Sequence, residues 1–104
     1  MTLQSRRTTF CIPPTHPALP GHFPGRPVVP GVVLLDRVAA LIEQAWNLPI
    51  GGLPQVKFAR PLLPGQQAEL VVEDDGKGLR FRIVLDEAGK EPAVIATGSV
   101  ELLR

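Results

Sequence analysis

The chain has 104 residues and a net charge of +1, so it holds one core and no broad basic field of the kind that binds nucleic acid. Hydrophobic residues make up 44% and charged residues 20%, ordinary for a folded soluble protein. The single cysteine, Cys11, excludes an internal disulfide and a cysteine-based metal site. No apolar run is long enough to span a bilayer, and no apolar segment follows the arginines of MTLQSRRTTF. The expectation is a cytoplasmic protein folded as one domain over residues 1–104, with no membrane contact.

Residues 6–12, RRTTFCI, are rich in β-formers and read as a strand that Pro13 and Pro14 end. Residues 13–30 follow as a proline-rich loop, long enough in so small a domain to suggest a functional one. A helix is expected from Gly31 or Val32. Val32, Leu35, Val38, Ala39, Ile42, Ala45 and Trp46 share one face, and Val33, Leu34 and Leu41 widen it, so most of the helix should be buried. Pro49 and Gly51-Gly52 mark its end. Strands are expected at 54–60, 67–73, 79–85 and 93–103, with turns at 74–78 and 86–91. Leu79, Phe81, Ile83 and Leu85 alternate cleanly with Arg80 and Arg82, the mark of a half-buried strand. The fold class is α+β: an antiparallel sheet of about five strands wrapped around one central helix.

The chemistry concentrates in GHFPGRPVVPGVVLLDRV, residues 21–38. Its prolines and glycines make a stiff, shaped loop that opens directly into the apolar helix. His22 is a general-base candidate. A lone loop histidine is ordinarily structural or solvated, but this one lies in the stiffest segment, upstream of a helix start and an acid; His16 has no such neighbours. Asp36 lies on the polar strip of the helix, where a solvated aspartate is the usual occupant. In an apolar pocket near a histidine it would instead hold or deliver a proton. Pro30 and Gly31 suit a helix start, and the free N–H of Gly31 could hold a carbonyl oxygen. A base, an acid and an oxyanion donor together suit proton abstraction next to a carbonyl.

GHFPGRPVVPGVVLLD resembles the signature of the hotdog-fold 3-hydroxyacyl-acyl carrier protein dehydratases of fatty-acid synthesis. VKFARPLLPGQQAEL at 56–70 and VIATGSVEL near the end resemble later segments of the same family, so the likeness covers about residues 6–103. It implies a single hotdog fold, with His22 and Asp36 as catalytic residues and Gly31 holding the thioester carbonyl. Val29 and Pro30 complete the substrate-binding stretch. It also implies a homodimer or higher homo-oligomer whose composite sites take the histidine from one chain and the acid from the other. The short chain is similar to small dehydratases of aryl-polyene pathways, and Asp36 resembles the acid of a branch that also isomerises the product.

The expected reaction is dehydration of a (3R)-hydroxyacyl thioester to the trans-2-enoyl thioester, with no cofactor and no metal. A hotdog thioesterase is the alternative enzyme, and it has no use for His22 in this loop. A non-catalytic hotdog subunit binding acyl carriers would be expected to lack the histidine or the acid, and both are present. The substrate is expected on an acidic acyl carrier protein. Arg6, Arg7, Arg26, Lys57 and Arg60 lie in segments that the resemblance places near the active site, with Arg26 and Arg60 the docking candidates.

Overall fold

The computed structural model describes residues 4–16, 28–86 and 91–103. The elements in chain order are β1 (Ser5–Cys11), α1 (Gly31–Trp46), β2 (Ile50–Phe58), β3 (Gln67–Asp74), β4 (Leu79–Leu85) and β5 (Ala93–Leu102). The five strands form one antiparallel sheet in the order β1-β3-β4-β5-β2. Strands β3, β4 and β5 are the meander that their alternation announces, while β1 and β2 occupy the two edges.

The β3–β4 turn is fixed by its own side chains. Asp75 Oδ1 accepts the N–H groups of Lys77 and Gly78, both at 2.9 Å, and Asp74 Oδ1 accepts that of Gly76. These bonds hold the Asp75 carboxyl below its ordinary pKa, Lys77 and Gly78 first and Arg80 after them. The turn expected at 86–91 falls mostly outside the described residues.

One face of the sheet carries the core. Leu70 and Val72 of β3, Leu79, Phe81 and Ile83 of β4, and Ile95 and Val100 of β5 meet Val33, Leu34, Val38 and Ile42 of α1. Each such side chain contributes about 1.5–3 kcal/mol on leaving water. Phe81 lies opposite Gly98, where a Cβ would come within 2.5 Å of the ring, so only glycine lets the ring turn inward.

Two expectations are corrected. The helix ends at Asn47, which takes the left-handed conformation (φ 56°) and donates its N–H to the Glu43 carbonyl at 2.9 Å. Gly51 and Gly52 are not its stop but belong to β2, which begins at Ile50 and ends at Phe58, with register shifts between Ile50 and Gln55. An edge strand tolerates these glycines and Pro54, because its outer side has no ladder to complete among the described residues. The buried helical face is also rotated from the expected stripe: Val32, its first member, is 63% exposed.

Candidate functional site

Three backbone bonds build the site. The Val29 N–H donates to the Leu62 carbonyl at 2.8 Å and ties the segment before α1 to the loop after β2. The Ala59 N–H donates to the Ile95 carbonyl at 2.8 Å, and the Gly65 N–H to the Ile12 carbonyl at 2.9 Å, pinning that loop to β5 and to the end of β1. Val29 and Leu62 are themselves buried, so the stitch is apolar on both sides.

Between the stitched segments runs a groove of about 470 Å³. Residues 28–31 and Leu34 form one wall, and residues 58–61 form the other. Its lining is apolar except for Arg60. At its floor α1 begins. Pro30 precedes the helix with extended backbone (φ −60°, ψ 145°) and no side-chain cap. The Pro30 carbonyl accepts from Val33 at 3.0 Å and Leu34 at 3.4 Å. Among the described residues the N–H groups of Gly31 and Val32 therefore have no acceptor, and they face the end of the helix where partial positive charge collects.

Phe58 closes the groove beside Gly31. A Cβ at position 31 would lie 2.7 Å from the Phe58 ring tip and 3.1 and 3.2 Å from the carbons flanking it. Glycine is thus required for the ring to stand against the helix start, whatever else binds there.

The structure brings four expected site residues together: Val29, Pro30, Gly31 and Arg60 all line this groove. His22 and Arg26 lie outside the described residues. Asp36 does not join the groove of its own chain. It is exposed on the outward side of α1, in no hydrogen bond or ion pair among the described residues. Five residues separate it from Gly31, which is about 140° of rotation about the helix axis. Val32, one turn earlier on the same side, is exposed with it.

The other basic residues are not at the groove. Arg7 reaches Glu69 at 3.8 Å across the β1–β3 pair, and Arg6 bonds the Ser5 carbonyl. Lys57 belongs with Gln55, Arg80 and Arg82 to a shallow hollow away from the groove. Neighbouring strand residues point to opposite faces, so Phe58 in the groove requires Lys57 outside it. Val28, Leu34, Phe58, Ala59 and Pro61 line the groove without having been expected there, Phe58 and Leu34 being the largest of them. The one available signal was an aromatic at a strand end, just before Ala59-Arg60-Pro61. Among the described residues no group of histidine, cysteine or carboxylate side chains could hold a metal ion.

Comparison with known proteins agrees with this architecture. The sequence profile of the ApeI-like family, described as ApeI dehydratase, matches residues 2–98. A curated relative, the 3-hydroxyacyl-[acyl-carrier-protein] dehydratase FabZ of Symbiobacterium thermophilum, is 39% identical over 66 residues, which are 55% of this chain. That match spans only 46% of the relative's length. Among solved structures, the dehydratase heterocomplex ApeI:P from Xenorhabdus doucetiae superposes with a TM-score of 0.81 at 30% identity, over 96% of this chain and 88% of that one. An uncharacterized protein from Erwinia carotovora subsp. atroseptica gives 0.83 at 26% identity, over 95% and 82%. An acyl-CoA hydrolase from Staphylococcus aureus gives 0.69 at 13% identity, over 92% and 63%, a likeness of fold alone. The sheet and helix are those of the hotdog fold.

Proposed function

The chain belongs to the ApeI-like dehydratase family, and from that premise we propose that it removes water from 3-hydroxyacyl thioesters to give trans-2-enoyl thioesters. One observation carries the reading: an apolar groove is lined by a helix start whose first N–H groups have no acceptor among the described residues. Such a site suits a thioester carbonyl with an apolar acyl group. The Gly31 N–H holds the carbonyl oxygen and stabilises the negative charge that grows on it as C2 loses a proton. His22 takes that proton. The C3–O bond then breaks, and Asp36 supplies the proton that lets the hydroxyl leave as water.

The placement of Asp36 supports a composite site. It stands on the far flank of α1 from its own groove, exposed beside the exposed Val32. A second hotdog chain docked on that flank would receive this carboxylate beside its own His22 and Gly31. The solved ApeI:P relative is a heterocomplex, so the second chain is tested both as another copy and as a different hotdog chain. The carrier of the acyl group is an acidic acyl carrier protein, met by Arg60 of the groove lining and by Arg26.

The test is direct. Purified protein, alone and with a hotdog partner from its source, is incubated with 3-hydroxyacyl groups on an acyl carrier protein. Mass spectrometry follows loss of one water. Free acid in place of enoyl thioester would make the protein a thioesterase. No change of mass with either partner state would make it a binding subunit.

A further inference from the structure

Among the groove's large apolar side chains in the described residues, Phe58 alone is strongly exposed, at 50%. Its ring nevertheless has a close neighbour, because the tip and both flanking carbons lie 2.7, 3.1 and 3.2 Å from where a Cβ at residue 31 would be. The ring tip stands against Gly31, whose N–H has no acceptor among the described residues. Resting on the thioester reading above, we infer that Phe58 is a specificity-determining residue that sets the bulk allowed on C2 of the acyl group.

The substituents of the carbonyl carbon decide what meets the ring. An oxygen held by the Gly31 N–H places its carbon against the first turn of α1, next to the ring. That carbon has two other substituents. One is sulfur, whose carrier arm is the same for every substrate. The other is C2. Dehydration needs one hydrogen on C2, so an unbranched C2 and a C2 bearing one methyl are both chemically competent. The ring can therefore separate substrates near the carbonyl only through a branch at C2. Val29 and Leu34, buried at 3% and 2% exposure, are packed in the core and cannot yield to such a branch. The half-exposed ring is the wall whose size decides.

The experiment compares wild type with Phe58→Ala and Phe58→Leu. It measures kcat/KM for an unbranched and a 2-methyl 3-hydroxyacyl thioester. It also measures binding of the corresponding acyl-pantetheine amides, which cannot be hydrolysed at sulfur. Wild type is expected to prefer the unbranched compound by about tenfold in both assays, the range that one methyl commands in an apolar pocket. Phe58→Ala should bring the two compounds to near parity by gaining on the branched one, with Phe58→Leu between. The same preference in all three proteins overturns the inference. So does an equal loss on both substrates accompanied by altered gel-filtration size, which would make the ring an interface or packing residue. So does failure of wild type to bind either amide. A ring-dependent amide preference without any turnover would sustain this inference and refute the dehydration reading; turnover without ring dependence would do the reverse.

Discussion

Replacing Gly31 by alanine separates what the helix start does for stability from what it does for chemistry. The new methyl would sit 2.7 Å from the tip of the Phe58 ring. Carbon atoms are comfortable at about 3.5–4.0 Å, so the ring must retreat by roughly 1 Å. Overpacking costs about 1–3 kcal/mol in a tight core, and the low end applies here because a half-exposed ring can swing. Alanine returns up to about 0.5–1 kcal/mol relative to glycine within a helix. The net change in unfolding free energy should stay within about 1.5 kcal/mol, and thermal or urea melts should show a folded protein. Activity should behave differently. The ring can retreat only towards the groove or solvent, and a misplacement near 1 Å beside the reacting carbonyl costs about 10²-fold in kcat/KM. In Gly31→Ala/Phe58→Ala the clash is gone, so the stability costs should be non-additive by more than about 0.5 kcal/mol. Full activity in the single variant, or strict additivity in the double, would refute the assignment of this contact. A loss beyond about 3 kcal/mol would show that the ring cannot move and that the groove is part of the core.

His22→Ala and Asp36→Asn should each lower dehydration by about 10²–10⁴-fold without changing circular dichroism. Co-expressed in one cell, the two inactive chains should recover activity through a mixed dimer if the sites are composite; shown heterodimers without activity would place both groups in one chain. Charge reversal at Arg26 and Arg60 should weaken turnover of carrier-bound substrate and spare a small thioester, and added salt should mimic the loss; equal losses on both would tie the arginines to the groove itself. Asp75, whose carboxyl titrates below its ordinary value, stabilises the β3–β4 turn above the unfolded value of 3.8, and this contribution disappears as pH falls through the lower folded value. Asp75→Ala should therefore lower the melting temperature at neutral pH and show a smaller further drop on acidification, read from melts at several pH values.

The sheet was legible where burial is one-sided. Leu79–Ile83 alternates because one face meets the core and the other meets solvent, the alternation breaks at the buried Val84 where the register with β5 shifts, and β4 has the expected bounds. The edge strand β2 was not so legible. Its glycines and Pro54 look like loop residues, and they are acceptable there because β2 has one strand neighbour among the described residues. The helix was legible in its start but not in its stop or its rotation. Apolar residues on several sides leave periodicity unable to choose between Val32 outward and Val33 outward, and contact with the sheet decides for Val33 and Leu34 inward.

The candidate site divides along the same line between local and long-range information. Val29, Pro30 and Gly31 were legible because a helix start is written in consecutive residues. Phe58 was not, since its place depends on β2 ending where the Val29–Leu62 bond draws the next loop across α1. Asp36 shows the sharper limit. Sequence puts it five residues from Gly31, yet helical geometry turns it about 140° away. The Asp36 side chain leaves the helix radially and is exposed outside the lining of the groove at Gly31. The motif therefore makes chemical sense when α1 serves two grooves: its start supplies the N–H groups of one, and its exposed flank supplies the carboxylate of another. On this reading the apolar Val32 left exposed beside Asp36 is the ground on which the second chain stands, and a charged residue there should break the assembly and the activity together.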